Sequence, residues 1–387
     1  MAAKHRPDRD VALAIDTGGT NARVALVKLG EGIIARESLP IAGFESREAL
    51  AERLSSVYAS MMDRSGVSTQ RLAGVGHGSA GVPNEERMWF TNSPNMPQHL
   101  LPLDLAPRIA DRFGLQTTTV LNDCSAGAVG EHRFGWRPNE VIYLPRGPVR
   151  EPGAFRVSDK QIIPERFRRV CYYTISTGEN VGVVWDGKVI GRPELGHVIY
   201  DKRDFFGRYA KCGGACKGTG HLEALHSGTA LGEMILREYK GGGSRMARDS
   251  PLYRAIEKRC GDVSEEQLIG EIPVMLYDAA RKGDKLALDI SKWHNELTCR
   301  LIGSMLGAGY QPEKIAFGGS VTRSMDFSMI PAFQMFADSV AKGSNDYTGN
   351  QPLDQLPVLA VCGGYGENHI LLGAGASVFN RLYGGDI

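Results

Sequence analysis

Val11-Ala12-Leu13-Ala14-Ile15-Asp16-Thr17-Gly18-Gly19-Thr20-Asn21-Ala22-Arg23-Val24-Ala25-Leu26-Val27 reads as two apolar strands joined by a turn of Asp, Thr and Gly. Adjacent glycines let backbone N–H groups approach phosphate oxygens with no Cβ in the way. Thr20 adds a hydroxyl donor, and Asp16 at the strand end can hold Mg²⁺ through water. These parts suit a nucleoside triphosphate. Taken alone, the stretch reads equally as a plain tight hairpin whose Gly18-Gly19 meets the turn geometry and whose Asp16 caps it.

Beyond the hairpin, residues 32–40 supply a third strand and 46–62 have the apolar spacing of a helix. A short strand at 72–77 enters a loop at 78–83, 103–113 reads as a helix, and 117–121 is a buried strand ending on Asn122-Asp123. A helix follows from near Ser125 to about His132. The opening pattern then recurs: 169–178 is a strand running into a polar glycine turn, followed by strands at 181–185 and 188–190. Between the two copies, 146–169 is rich in Pro, Arg and Gly and reads as an insertion that covers the cleft or meets another subunit. Helices are expected at 264–280, 285–306, 330–341 and 371–382, with strands at 314–320 and 358–361.

A chain of 387 residues is too long for one ordinary core and suggests two lobes with a cleft between them. A formal net charge of +1 with both signs mixed offers no general attraction to nucleic acid or an anionic membrane. No apolar run reaches the roughly 20 residues of a membrane span, and MAAKHRPDRD lacks the apolar core of a signal peptide, so the expected compartment is the cytoplasm. Seven cysteines, with Cys212 and Cys216 in a glycine-rich loop, fit reduced thiols or a metal site better than a disulfide framework.

The chain resembles the ROK family (repressor, open reading frame, kinase) of the actin-like ATPase superfamily. The resemblance rests on DTGGTNAR (16–23), SPNMP (93–97), LND (121–123), STG (176–178), ELGH (194–197), HLEALHSG (221–228) and FGGS (317–320), in the family's order. It implies an α/β fold of two ribonuclease H-like lobes with mixed sheets and ATP and sugar in the interlobe cleft. The expected division is 1–123, joined by the C-terminal helix 370–387, and 124–369 with the insertion near 146–169.

The resemblance makes Asp123 the catalytic base that takes the proton of the attacking sugar hydroxyl; by itself the Asn122-Asp123 pair would read as a helix cap. Asn95, Asn122, Glu194, His197 and Glu223 resemble the sugar-contacting set, chemically apt because a ring of hydroxyls needs several donors and acceptors at fixed angles. Singly, Glu194 and Glu223 would read as solvated acids and Asn95 as a turn residue. Gly18, Gly19, Thr20, Thr177 and Gly178 would face the phosphates, with Asp16 on Mg²⁺, and Gly318 and Gly319 would lie near the adenosine or simply form a strand-to-helix turn. Glu179-Asn180 departs from the family, which continues this turn with smaller, more apolar residues.

Kinases of the family hold a structural zinc on the His of the ELGH-type motif and three cysteines spaced C-x-C-x4-C. Aligning Leu222-Glu223 puts Gly214 at the first cysteine, Cys216 at the second and His221 at the third. Cys212 lies two residues early, which leaves His197, Cys212, Cys216 and His221 as the candidate set for tetrahedral Zn²⁺, or else a metal-free loop. The implied activity is ATP-dependent phosphorylation of the primary hydroxyl of a hexose, glucose first, with an amino sugar, an N-acetylhexosamine or a cyclitol as alternatives. A homodimer is implied as well. A sugar-sensing repressor is the other branch, disfavoured by the ten residues before Val11 and the near-neutral charge. A catalytically silent sugar-binding protein is the third reading.

Overall fold

The computed structural model describes residues 8–93, 96–135, 141–144, 156–158, 167–191, 193–212, 217–242, 249–342, 347, 356–361 and 368–384. Two sheets repeat one plan. In the first, β1 (Val11–Thr17), β2 (Asn21–Lys28) and β3 (Gly32–Pro40) run antiparallel, while β4 (Leu72–Ser79) and β7 (Thr118–Asn122) lie parallel to β1, in the order β3-β2-β1-β4-β7. A small pair, β5 (Val82–Asn84) and β6 (Trp89–Asn92), stands apart. In the second sheet β10 (Arg169–Ile175), β11 (Glu179–Trp185) and β12 (Lys188–Val189) repeat the antiparallel run. There β13 (Lys314–Gly318) and β14 (Val358–Val361) repeat the parallel pair, with β8 (Val141–Leu144) and β9 (Arg156–Ser158) added beyond β14. This duplication is the two-lobe, mixed-sheet α/β architecture of the actin-like ATPases.

Helices α1 (Arg47–Ser65) and α2 (Leu105–Arg112) cover the outer face of the first sheet. Between the sheets lie α3 (Asp123–Phe134) and α11 (His369–Tyr383). Two short helices, α4 (Glu223–His226) and α9 (Met325–Ser328), accompany the larger set α5 (Gly228–Lys240), α6 (Pro251–Arg259), α7 (Glu265–Arg281), α8 (Lys285–Gly307) and α10 (Ile330–Ala341), which covers the outer face of the second sheet. Alternation along β1 shows why. Val11, Leu13 and Ile15 point into the α1/α2 core, whereas Ala12 and Ala14 point the other way and let α11 come close. The layer shared by the sheets buries Ala128 and Val129 of α3 and Leu372 and Phe379 of α11 against Tyr172, Val184 and Ala316 of the second sheet.

Local chemistry sets the ends of these elements. Ser46 caps α1 by accepting from the Ala49 N–H, and Gly66 closes it in the left-handed conformation at φ 64°. Helix α3 starts at Asp123 rather than near Ser125, because the Asn122 side chain caps it through the Cys124 N–H. The loop expected at 78–83 opens the β5/β6 hairpin, and α4, α5 and α6 had no counterpart in the sequence reading. Of the stretch read as an insertion, β9 extends the second sheet; 145–155 and 159–166 lie outside the described residues. Among the described residues no helix is long and apolar enough to cross a membrane.

Candidate functional site

The parallel strands β1, β4 and β7 end on one edge of the first sheet, where Thr17 pairs in register with Ser79 and Ser79 with Asn122. Asp16 is buried at 2% exposure and carries an ion pair from Arg23, its cross-strand partner, at 2.5 Å. Gly18 and Thr20 at the hairpin tip are exposed, and a Cβ on Gly18 would meet only the Asn21 carbonyl oxygen, 4.0 Å away. The space in front of the turn is therefore open to a ligand rather than filled by the protein. A hydroxyl chain missed in the sequence backs the hairpin. His77 Nε2 lies 2.9 Å from Thr17 Oγ1, Thr17 donates to Ser79 Oγ at 2.9 Å, and Ser79 Oγ is 3.2 Å from Ser93 Oγ. Burial holds the His77 ring neutral, with its pKa down at about 3. This chain ties the hairpin to the segment that leads into Asn95, which itself lies outside the described residues.

Asp123 is the first residue of α3, and Asn122 performs the cap. Asn122 Oδ1 and Asp123 Oδ1 both accept from the Cys124 N–H, at 3.0 and 2.8 Å. The capping and catalytic readings of this pair are thus compatible. Burial raises the Asp123 pKa, partly offset by the Cys124 N–H.

Facing it are groups from the second sheet's side. The Asp123, Glu194 and Glu223 carboxylates all lie close enough to Cys124 to disfavour its thiolate, already pushed well up by burial. Glu194 also has its pKa raised, first by burial and then by Asp123 and Glu223, against the opposing His197 and Asn180. Asn180 Nδ2 donates to Glu194 Oε2 at 2.9 Å. Glu223 accepts from the Glu179 N–H at 3.0 Å and from the Cys212 thiol at 3.4 Å. Asp123, Glu194, His197 and Glu223, supplied by α3, the segment Glu194–His197 and α4, thus lie within electrostatic reach of one another, with Asn122 next to Asp123 at the end of β7.

The second hairpin turn carries Thr177, which is exposed, and Gly178, which faces Glu223. Next to it opens a half-open pocket lined by Thr177, Thr229, Pro273, Tyr277, Ser320 and Val321 among others. Pro273, Tyr277 and Thr229 belong to no motif in the sequence; they come from α5 and α7, which only the fold brings together. Gly318 and Gly319 are not among the lining residues. Their smallness answers to packing, since Gly318 abuts the Tyr172 hydroxyl and Gly319 holds φ 102° against the Ile175 carbonyl.

His197, Cys212 and His221 offer ligand atoms within 4.8 Å of one another, and the two imidazole rings stand 5.2 Å apart. Two nitrogens and a thiol in that compass fit Zn²⁺. Cys216 lies outside the described residues.

A family model described as the ROK family matches residues 12–143 and 164–350. An N-acetylmannosamine kinase of Escherichia coli O139:H28 (strain E24377A / ETEC) is 27% identical over 297 residues, covering 76% of this chain and 83% of that protein. The fold is shared with a ROK hexokinase from Thermus thermophilus, at 19% identity and TM-score 0.64, over 96% of this chain and 99% of that one. It is shared too with a ROK family transcriptional regulator, a homologue of the E. coli MLC protein, at 20% identity and TM-score 0.66, over 97% and 79%. With the family model spanning most of its length, the chain belongs to the ROK family.

Proposed function

We propose that this chain is an ATP-dependent kinase that phosphorylates the primary hydroxyl of an N-acetylated hexosamine, with N-acetylmannosamine the first acceptor to test. The observation that supports the reading most is that Asp123, at the start of α3, lies within electrostatic reach of Glu194, as Glu223 does. Named relatives that are N-acetylmannosamine kinases move the acceptor from glucose toward an amino sugar.

In this reading the sugar hydroxyl donates its proton to an Asp123 carboxylate oxygen as its oxygen attacks the γ-phosphorus. A pKa raised by burial makes Asp123 a stronger base once it is ionised. Glu194, Glu223 and His197 orient the ring hydroxyls, with Asn95 carried over from the resemblance. Gly18, Gly19, Thr20, Thr177 and Gly178 line the phosphate path, and the nucleoside occupies the cavity beside Thr177, near Gly318-Gly319. Asp16 would hold Mg²⁺, whose charge neutralises the β- and γ-phosphate oxygens, in exchange for part of its pairing with Arg23. His197, Cys212, Cys216 and His221 would hold a structural Zn²⁺ that fixes the loop beneath Glu223. The lobes are taken as 1–123 with 370–387, supported by the packing of α11 on β1, and 124–369. A homodimer stays part of the proposal and is read by sedimentation.

The test is a coupled ADP-release assay with Mg·ATP against N-acetylmannosamine, N-acetylglucosamine, glucose and mannose. Preference for an N-acetylated sugar supports the reading, and preference for glucose returns the acceptor to a plain hexose. No turnover with any sugar, together with sugar binding, identifies a sensor instead.

A further inference from the structure

Glu179 and Asn180, where the chain departs from the family's small and apolar turn, each hold one carboxylate of the sugar set. The Glu179 N–H donates to Glu223 at 3.0 Å, and the Asn180 side chain bridges the Val181 N–H at 2.8 Å and Glu194 at 2.9 Å. The Glu179 backbone is itself pinned from behind. Its side chain, 3% exposed, accepts from the Tyr173 hydroxyl of β10 and lies 2.8 Å from His226 Nδ1 of α4. His226 Nε2 lies 2.8 Å from the Thr298 hydroxyl of α8, and the His226 ring stacks on His294, also of α8, at 4.1 Å. His294 Nε2 in turn donates to the His226 carbonyl at 2.8 Å. Such a buried network fixes geometry because each member loses a partner if another moves. On its other side the Glu179 carbonyl abuts Gly196, in the turn between Glu194 and His197.

We propose that Glu179 and Asn180 are positioning residues for the sugar acceptor: Asn180 sets Glu194 through its amide, and Glu179, braced by Tyr173 and His226, sets Glu223 through its backbone. The proposal rests on the kinase reading for its kinetic form, whereas its structural form stands independently. The carboxylates they hold both belong to the proposed sugar set, so the effect is expected on the acceptor side.

The test compares wild type with Asn180→Ala, Glu179→Leu and Glu179→Gln in two ways. Kinetics use Mg·ATP and N-acetylmannosamine. Asn180→Ala is expected to raise the acceptor KM about tenfold, the scale of one charge-assisted hydrogen bond, with the ATP KM unchanged. Glu179→Leu is expected to do the same, and Glu179→Gln, which keeps shape and an acceptor oxygen, to restore most of the loss. Crystal structures of unliganded wild type and Asn180→Ala supply the second readout, a displaced Glu194 carboxylate. Lack of wild-type turnover overturns the kinase reading, and the crystal structures then still decide the positioning claim. Glu194 keeping its place in Asn180→Ala, or the ATP and acceptor KM rising together, overturns the proposal. Asn180 is only half-buried, so its variant remains informative if Glu179→Leu does not fold.

Discussion

Gly182 on β11 lies so tightly under the first turn of α3 that a Cβ there would stand 2.0 Å from the Cys124 carbonyl oxygen. One residue further back sits Asp123. The second sheet therefore presses directly on the backbone that aims the proposed base, and α3 answers to both lobes.

Gly182→Ala should consequently cost both stability and rate. Overpacking at such a contact costs about 1–3 kcal/mol. A shift of the α3 start by about 1 Å is expected to lower kcat about a hundredfold, as misplacement of a reacting group does. Thermal unfolding and steady-state kinetics read the two effects. A variant with lowered Tm and unchanged kcat would show that the contact is structural only.

Asp123→Asn should remove turnover while sparing binding. General-base loss is expected to lower kcat by about 10²–10⁴, with acceptor affinity by calorimetry within a few-fold of wild type. Because burial raises the Asp123 pKa, wild-type kcat/KM should fall on the acid side at a pH above the ordinary aspartate range, and this limb should vanish in the variant. An Asp123→Asn enzyme with ordinary activity would assign the base elsewhere.

How far these features could be seen in advance follows from how local their signals are. The β1/β2 hairpin and its second copy at β10/β11 were legible because strand, glycine turn and strand are contiguous. The end of β7 on Asn122-Asp123 was legible as a buried strand stopping on Asn-Asp, although the α3 boundary shifted because Asn122 supplies the cap; the catalytic reading of Asp123 comes from the resemblance. Illegible were contacts that join distant segments. The Thr17, His77, Ser79 and Ser93 chain joins three distant segments, and the pocket beside Thr177 draws on α5 and α7. Glu179 stood out as an oddity, but its partner His226 could not be named without the fold. Alanine at 12 and 14 on β1 looked merely apolar; its smallness matters only once α11 packs there.

Buried titratable groups set the pH range of stability. His77, His226 and His294 are held neutral by burial, each with a pKa down at about 3, so unfolding lets them take up protons below their usual pKa of 6.5. Their contribution is full above pH 6.5 and is lost as the pH falls toward 3. Glu179 acts oppositely. Burial lifts its pKa from 4.5 to about 8, so stability declines as the pH rises through that interval. Glu179→Gln should therefore match wild type near pH 5 and exceed it at pH 8, by an amount on the order of 1 kcal/mol or more. Urea unfolding at the two pH values checks this; an equal difference at both would mean that Glu179 is ionised in the folded protein.

Metal content offers a separate check. The protein purified without chelator should carry about one zinc per chain by atomic emission. Cys212→Ser and His221→Ala should each lose the metal and lower Tm by several degrees, and chelation should lower the wild-type Tm without affecting either variant. Zinc-free protein with an unchanged Tm would identify a metal-free loop.

The most direct measurement is ³¹P and ¹³C NMR of the product formed from Mg·ATP and N-acetylmannosamine by wild type and by Asp123→Asn. The account predicts a phosphomonoester on the primary hydroxyl carbon with wild type, ADP in equal amount, and no product with the variant. ADP release without a sugar phosphate, or the same product from Asp123→Asn, would contradict it.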